Sequence, residues 1–277
     1  MPILSSDIIE LALAEDIGSG DITAALIPEN QESEARIISQ QKAVICGIDF
    51  VNAIYQHLDP KVVISWKVKD GDEIESNQVL GILKGNSRVL LTGERTALNF
   101  LQTLSSTATL TRRFVAQLRG TKAQLLDTRK TLPGLRLAQK YAVRCGGGKN
   151  HRLGLYDAFL IKENHISACG SITKAVLEAR RTSYPVEVEV KNLSELQEAI
   201  AVHADIVMLD NFSLKQVQAA VELNAKSVKV EVSGGVNLDN IRAVAETGVD
   251  YISVGALTKT VVPIELSFLI SPGSEVY

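Results

Sequence analysis

VEVEVKNLSELQEAIAVHADIVMLDNFSLKQVQAAVEL, residues 186–223, repeats one texture twice. A short apolar run (VEVEV, then DIVMLD) is followed by a helical pattern (SELQEAIAV, then LKQVQAAVEL), with only a few polar residues between. Strand and helix alternating through such short connections predict parallel βαβ units. The texture extends outward on both sides. AQLLDTRK and AFLIKENH precede the segment, KVEVSGG and YISVGAL follow it, and SITKAVLEARR and LDNIRAVAET supply further helices. Six strands are legible where a closed β/α barrel has eight. The expectation is an α/β chain with an incomplete, TIM-like β/α barrel.

The first ninety or so residues read differently. A short amphipathic helix opens them, EARIISQQKAVICGI and KVVISWKVKDG alternate like strands, and glycines punctuate KDGDEIESNQVLGILKG, which predicts short antiparallel pairs. Ala97, Leu101, Leu104, Ala108, Val115 and Leu118 then recur at helical spacing, as one long helix or two joined ones ending at Gly120. The predicted division is an N-terminal α+β sandwich domain over 1–120 that includes this helix, a barrel over 121–265, and a tail, 266–277, that returns to the N-terminal domain.

The chain has 277 residues, a formal charge of −3, 45% hydrophobic and 22% charged residues, as in an ordinary globular protein. Slight acidity argues against a general nucleic-acid binder. Cys46, Cys145 and Cys169 are widely spaced and odd in number, which fits neither a disulfide framework nor a zinc ribbon. Without a basic leader or a bilayer-length apolar run, the sequence reads as a soluble cytoplasmic protein that binds no membrane. Against the mild overall acidity, residues 129–162 hold eight Lys and Arg and a single acid, Asp157. That local surplus predicts an anionic ligand.

In β/α barrels the working residues leave the C-terminal ends of the strands. Thr128, Arg129 and Lys130 end the first strand, where adjacent basic residues suit a solvated loop or an anion site. Lys162 leaves AFLI as an anion binder or a Schiff-base nucleophile. The run GGGK lacks the flanking Gly and Ser/Thr of a Walker loop, so its glycines are permissive backbone, with His151 and Arg152 beside them. Glu187 and Glu189 alternate with valines, as a half-exposed strand requires. Asp210 ends a nearly continuous apolar strand, and with one of these two glutamates it suits Mg²⁺. Ser233, Gly234 and Gly235, then Val254, Gly255 and Ala256, form loops after the last two strands, where barrels bind phosphate. Arg95 opens the long helix, opposing its dipole unless its anion lies elsewhere.

The strings EDIGSGDIT, GERTALNFLQ, DTRKTLPGLR, KYAVRCGGGKNHRLGLYDAFLIKENHI, VEVEVKN, MLDNF and VSGGVNLDNI…GVDYISVGALT resemble, in order, the quinolinate phosphoribosyltransferase family. The resemblance implies a transferase of NAD (pyridine nucleotide) biosynthesis. It joins quinolinate to phosphoribosyl pyrophosphate and gives nicotinate mononucleotide, pyrophosphate and CO₂, with Mg²⁺ as cofactor. It further implies that Arg95, Arg129, His151, Arg152 and Lys162 line the quinolinate pocket, with Thr128 alongside. Lys130 and Lys162 would lie near the pyrophosphate, and Glu189 and Asp210 would face the ribose and the metal. Lys130, Lys162, Glu189 and Asp210 would then be the catalytic set. The amides of Ser233, Gly234, Gly235, Val254, Gly255 and Ala256 would hold the 5′-phosphate. Arg95 would enter the partner's site in a homodimer, with assembly to a hexamer left open. Leu132 and the string SSTAT depart from the family pattern without removing a charge. A nicotinate phosphoribosyltransferase and a Schiff-base lyase, with Lys130 or Lys162 as nucleophile, are the rival readings.

Overall fold

The computed structural model describes residues 6–272. In chain order, α1 (Ser6–Ile17) leads into β1 (Glu32–Ser39), β2 (Ala43–Val44), α2 (Ile48–Leu58), β3 (Val63–Trp66), β4 (Glu73–Ile74) and β5 (Val79–Asn86). The long α3 (Ser87–Gln117) is one unbroken helix. It is followed by β6 (Gln124–Leu126), α4 (Arg136–Cys145), β7 (Phe159–Ile161), α5 (Glu163–Cys169), α6 (Ile172–Ala179) and β8 (Val186–Val190). The chain continues with α7 (Leu193–Ala201), β9 (Ile206–Asp210), α8 (Leu214–Asn224), β10 (Lys229–Ser233), α9 (Ile241–Glu246), β11 (Tyr251–Ser253), α10 (Ala256–Lys259) and β12 (Leu266–Pro272).

Two compact units result, one of residues 1–110, 133–146 and 260–277, the other of 111–132 and 147–259. The first carries a four-stranded antiparallel sheet in the order β12-β1-β5-β3, and β2 pairs separately with β4. The edge strand β12 runs antiparallel to β1, from Ser33↔Pro272 to Ser39↔Leu266. Leu98, Leu101, Leu104 and Ala108 of α3 recur at spacings of three and four, with Leu90 about two turns earlier, and all are buried in one core with Ile54, Tyr55 and the sheet residues Ile37 and Leu83. Burying each such leucine contributes roughly 1.5–3 kcal/mol before entropy is counted. α2 and α3 approach closely at Gly93, where a Cβ would lie 2.8 Å from Leu58 Cδ1 and from Tyr55 Cε1.

The division differs from the predicted one at 120/121. Residues 133–146 join the first unit because α4 buries Ala138 and Ala142 in that unit's core. Arg95 likewise does not open the long helix. The helix begins eight residues earlier, at Ser87, so the dipole argument made for Arg95 does not apply.

The second unit is a six-stranded parallel sheet in the order β6-β11-β10-β9-β8-β7. The last strand, β11, returns beside the first, β6, as in a barrel, and β6 and β7 remain as edges. The barrel is incomplete. Residue Lys149 partly lengthens the β6 edge: its amide donates to Leu125 O at 2.8 Å, and the Asp127 amide donates to its carbonyl at 3.2 Å.

Candidate active site

All six strands run the same way, so their C-terminal ends gather at one rim. A cavity of about 600 Å³ opens there. Its wall brings together Thr128, Arg129 and Lys130 after β6, His151 and Arg152, Lys162 after β7, Glu189 on β8, Asp210 on β9, and Ser233, Gly234 and Gly235 after β10. A larger recess, about 1070 Å³, opens at the opposite strand ends. Three of its cations are already paired: Lys122 and Lys229 share Asp250, and Arg180 pairs with Asp205.

At the rim the charges are less settled. Arg152 donates from Nη1 to Ala158 O at 3.3 Å, while its Nε is buried with no hydrogen-bond partner among the described residues. Burial, and next the like charge of Arg129, lower its pKa, so the site holds a cation that an arriving anion would relieve. Lys162 Nζ is bonded to the Glu189 carboxylate. The Asp210 carboxylate has no hydrogen-bond or ion-pair partner among the described residues, and its neighbour Asn211 takes a left-handed backbone, φ 57°.

Beneath the cations lies a carboxylate floor. Buried Asp127, at the end of β6, accepts from the His151 amide at 2.9 Å and from Asn150 Nδ2 at 2.6 Å, which fixes the Asn-His-Arg string to the strand. His151 Nδ1 accepts from the Arg152 amide at 2.8 Å, and Nε2 lies 2.9 Å from Glu187 and 3.7 Å from Glu231. That hydrogen-bond pattern assigns the neutral tautomer with the proton on Nε2. His151 therefore lines the cavity with both ring nitrogens already engaged by protein. Glu187 and Glu231 are almost wholly buried, which corrects the half-exposed strand read from the valine alternation: the glutamates point into the barrel. Burial first, and then Glu187, push the Glu231 carboxyl up to about 8.

The loop after β10 has little latitude. Gly234 sits at φ 90°, and a Cβ there would come within 2.2 Å of Asn211 Oδ1. Asn211 donates its amide to Ser233 O at 3.0 Å, and Asn240 Nδ2 donates to Gly235 O at 2.9 Å. Both tie the loop in place.

Family models match nearly the whole chain: quinolinate phosphoribosyl transferase N-terminal domain over residues 21–105 and C-terminal domain over 107–269. This chain belongs to the quinolinate phosphoribosyltransferase family. A probable nicotinate-nucleotide pyrophosphorylase (carboxylating) of Bacillus subtilis strain 168 is 42% identical over 264 residues, 94% of this chain and 91% of the relative. The solved nicotinate-nucleotide pyrophosphorylase of Francisella tularensis matches at a TM-score of 0.94 and 49% identity, covering 97% of this chain and 98% of that one. Human nicotinic acid phosphoribosyltransferase, at a TM-score of 0.64 and 14% identity over 98% of this chain and 75% of its own, shares the fold alone.

Of the residues that the quinolinate phosphoribosyltransferase resemblance nominates, eleven stand on the cavity wall and four do not. Val254 is buried and donates its amide to Leu126 O at 3.0 Å. Gly255 lies behind Lys130, where a Cβ would meet Lys130 Cδ at 3.1 Å, and Ala256 begins α10. Arg95 belongs to the first unit, where its side chain is 61% exposed and 3.8 Å from Glu94. Asp127, Glu187, Glu231 and Asn211 went unnominated. The signal for Glu187 was present, since period two places it on the face of Glu189.

Proposed function

We propose that this chain transfers phosphoribosyl from phosphoribosyl pyrophosphate to quinolinate, with decarboxylation, in de novo NAD biosynthesis. One observation carries the reading beyond family membership: Arg129, Lys130, Arg152 and Lys162 converge on one cavity with two carboxylates at adjacent strand ends. Quinolinate brings two carboxylates and its co-substrate a phosphate and a diphosphate, so several fixed cations are needed in a site that sheds water.

Glu189 and Asp210 offer hard oxygen donors beside the cavity, and Asp210 has no protein partner there, so the residues fit Mg²⁺. When bound, the ion would supply neutralising charge for the departing pyrophosphate. Lys130 and Lys162 would stabilise the same group, Lys162 exchanging its Glu189 partner for a phosphate oxygen. Arg129 and Arg152 would grip the ring carboxylates and fix the pyridine nitrogen against C1 of the ribose, an orientation effect. Their bidentate forks match carboxylate geometry. The nitrogen lone pair forms the bond to C1 as the C1–oxygen bond breaks and pyrophosphate leaves. The ring nitrogen is then cationic, so the C2–carboxylate bond can break with its electron pair retained at C2. CO₂ departs and solvent supplies the proton to C2. The amides of Ser233, Gly234 and Gly235 would hold the 5′-phosphate, helped by Gly255 and Ala256 from the neighbouring loop.

The proposed assembly is a homodimer in which Arg95 serves the partner's site, and the proposed compartment is the cytoplasm. Among the described residues no helix is long and apolar enough to cross a membrane. Product analysis tests the reaction. Given Mg²⁺ and phosphoribosyl pyrophosphate, the protein should form nicotinate mononucleotide from quinolinate and none from nicotinate. Mononucleotide from nicotinate alone would overturn the assignment, and a borohydride-trapped adduct on Lys130 or Lys162 would establish a Schiff-base enzyme instead.

A further inference from the structure

Three separate segments of the first unit bring metal-binding atoms together. Cys46 lies between β2 and α2, Asp70 in the turn between β3 and β4, and Cys145 is the last residue of α4. Their sulfur and carboxylate atoms all lie within 4.8 Å of one another. We propose that Cys46, Asp70 and Cys145 form a binding site for one thiophilic divalent cation of the zinc class. The site is independent of the barrel cavity and of the reaction assigned to it.

The backbone around the three residues is fixed, as a preformed site requires. The Cys46 amide donates to Ser105 Oγ at 2.8 Å, and Ser105 Oγ donates back to Cys46 O at 3.1 Å. The Asp70 turn is laced to the same segment, with Gly71 N donating to Ile45 O at 2.9 Å and Ile45 N to Asp72 O at 3.0 Å. At Gly71, φ is 94° and an added Cβ would stand 3.5 Å from Cys145 O, so this turn also abuts the end of α4. Asp70 Oδ1 accepts from the Gly47 and Ile48 amides at 3.0 and 3.2 Å, which holds the carboxylate in one orientation. Tyr141 hydrogen-bonds both Asp70 and Cys145. Such outer contacts orient the ligands of a metal site.

The donor set selects the ion. Two sulfurs disfavour Mg²⁺ and Ca²⁺ and favour zinc-like ions, with the carboxylate as third ligand and a fourth position left for water. Cys46 is fully buried, whereas Asp70 and Cys145 are partly exposed, so an ion can enter from their side. None of the three cysteines is in a disulfide, and Cys169, exposed at the end of α5, lies in the other unit.

The test uses the reduced full-length chain carrying Cys169→Ser, titrated with Cd²⁺. A thiolate-to-metal charge-transfer band should saturate at one Cd²⁺ per chain and vanish on competition with Zn²⁺. Cys145→Ser should abolish the band, and Asp70→Asn should weaken binding about tenfold or more. Because Cys46→Ser alters a fully buried site, the wild type supplies a second readout: Zn²⁺ should protect the partly exposed Cys145 thiol, and not the Cys169 thiol, from a disulfide reagent. No band and no protection, or a band that survives Cys145→Ser, would overturn the proposal. So would loss of two hydrogens from the metal-free chain with both thiols gone, since that marks a Cys46–Cys145 disulfide.

Discussion

Asp210 leaves β9 into the cavity with no protein partner, while Glu189, one strand over, is held by Lys162. That asymmetry predicts different variants at the two positions. Asp210→Asn should keep the fold and lower kcat by about two orders of magnitude, since only charge at the reacting end is removed. Arg129→Ala should raise the quinolinate KM about tenfold or more and lower kcat as well, because a charge-assisted fork is lost; steady-state kinetics read both, and unchanged constants would remove Arg129 from the site. Glu231 makes a pH prediction. Its folded pKa of about 8 lies above the ordinary 4.5, so the fold prefers the protonated carboxyl. The stability this confers is complete below about 4.5 and is lost as pH rises to about 8. Glu231→Gln cannot ionise, and its melting temperature should fall less than wild type across that window.

At the scale of elements, the six strands β6 to β11 were legible because each couples an apolar run to a polar exit, and α6 to α9 because their apolar positions recur at helical spacing. α4 was not. Its buried residues are Ala138, Gln139, Lys140, Ala142 and Val143, two of them polar and two alanine, which leaves too little hydropathic contrast to mark a helix. α5 was hidden in the same way by the motif KENH: it is seven residues long and has no buried residue. The carboxylate floor was half legible, since alternation gave the face of Glu187, and only the sheet order showed that this face is interior and shared by Glu231. The α2–α3 contact supplies the prediction here. Gly93→Ala pushes a methyl to 2.8 Å from Leu58 and Tyr55, and should cost about 1–3 kcal/mol in denaturant unfolding.

Over the whole molecule, the charge pattern rather than the net charge carries the function. A chain at −3 sets four cations, Arg129, Lys130, Arg152 and Lys162, on one cavity, whereas Lys122, Arg180 and Lys229 of the opposite recess are paired with that recess's own acids. The proposed dimer adds Arg95 to that inventory. Arg95→Ala and Asp210→Ala chains, each inactive alone, should recover about a quarter of wild-type activity when mixed to exchange subunits, because half the dimers are then mixed and carry one intact site of two. No recovery from stable mixed dimers would place Arg95 outside the partner's site. The most direct measurement follows the carbon that the reaction must lose. Quinolinate labelled in its 2-carboxylate, incubated with the protein, Mg²⁺ and phosphoribosyl pyrophosphate, should release labelled CO₂ in equal amount with pyrophosphate and nicotinate mononucleotide, and release none when phosphoribosyl pyrophosphate is withheld. CO₂ released without the co-substrate, or mononucleotide formed with the label retained, would contradict the account.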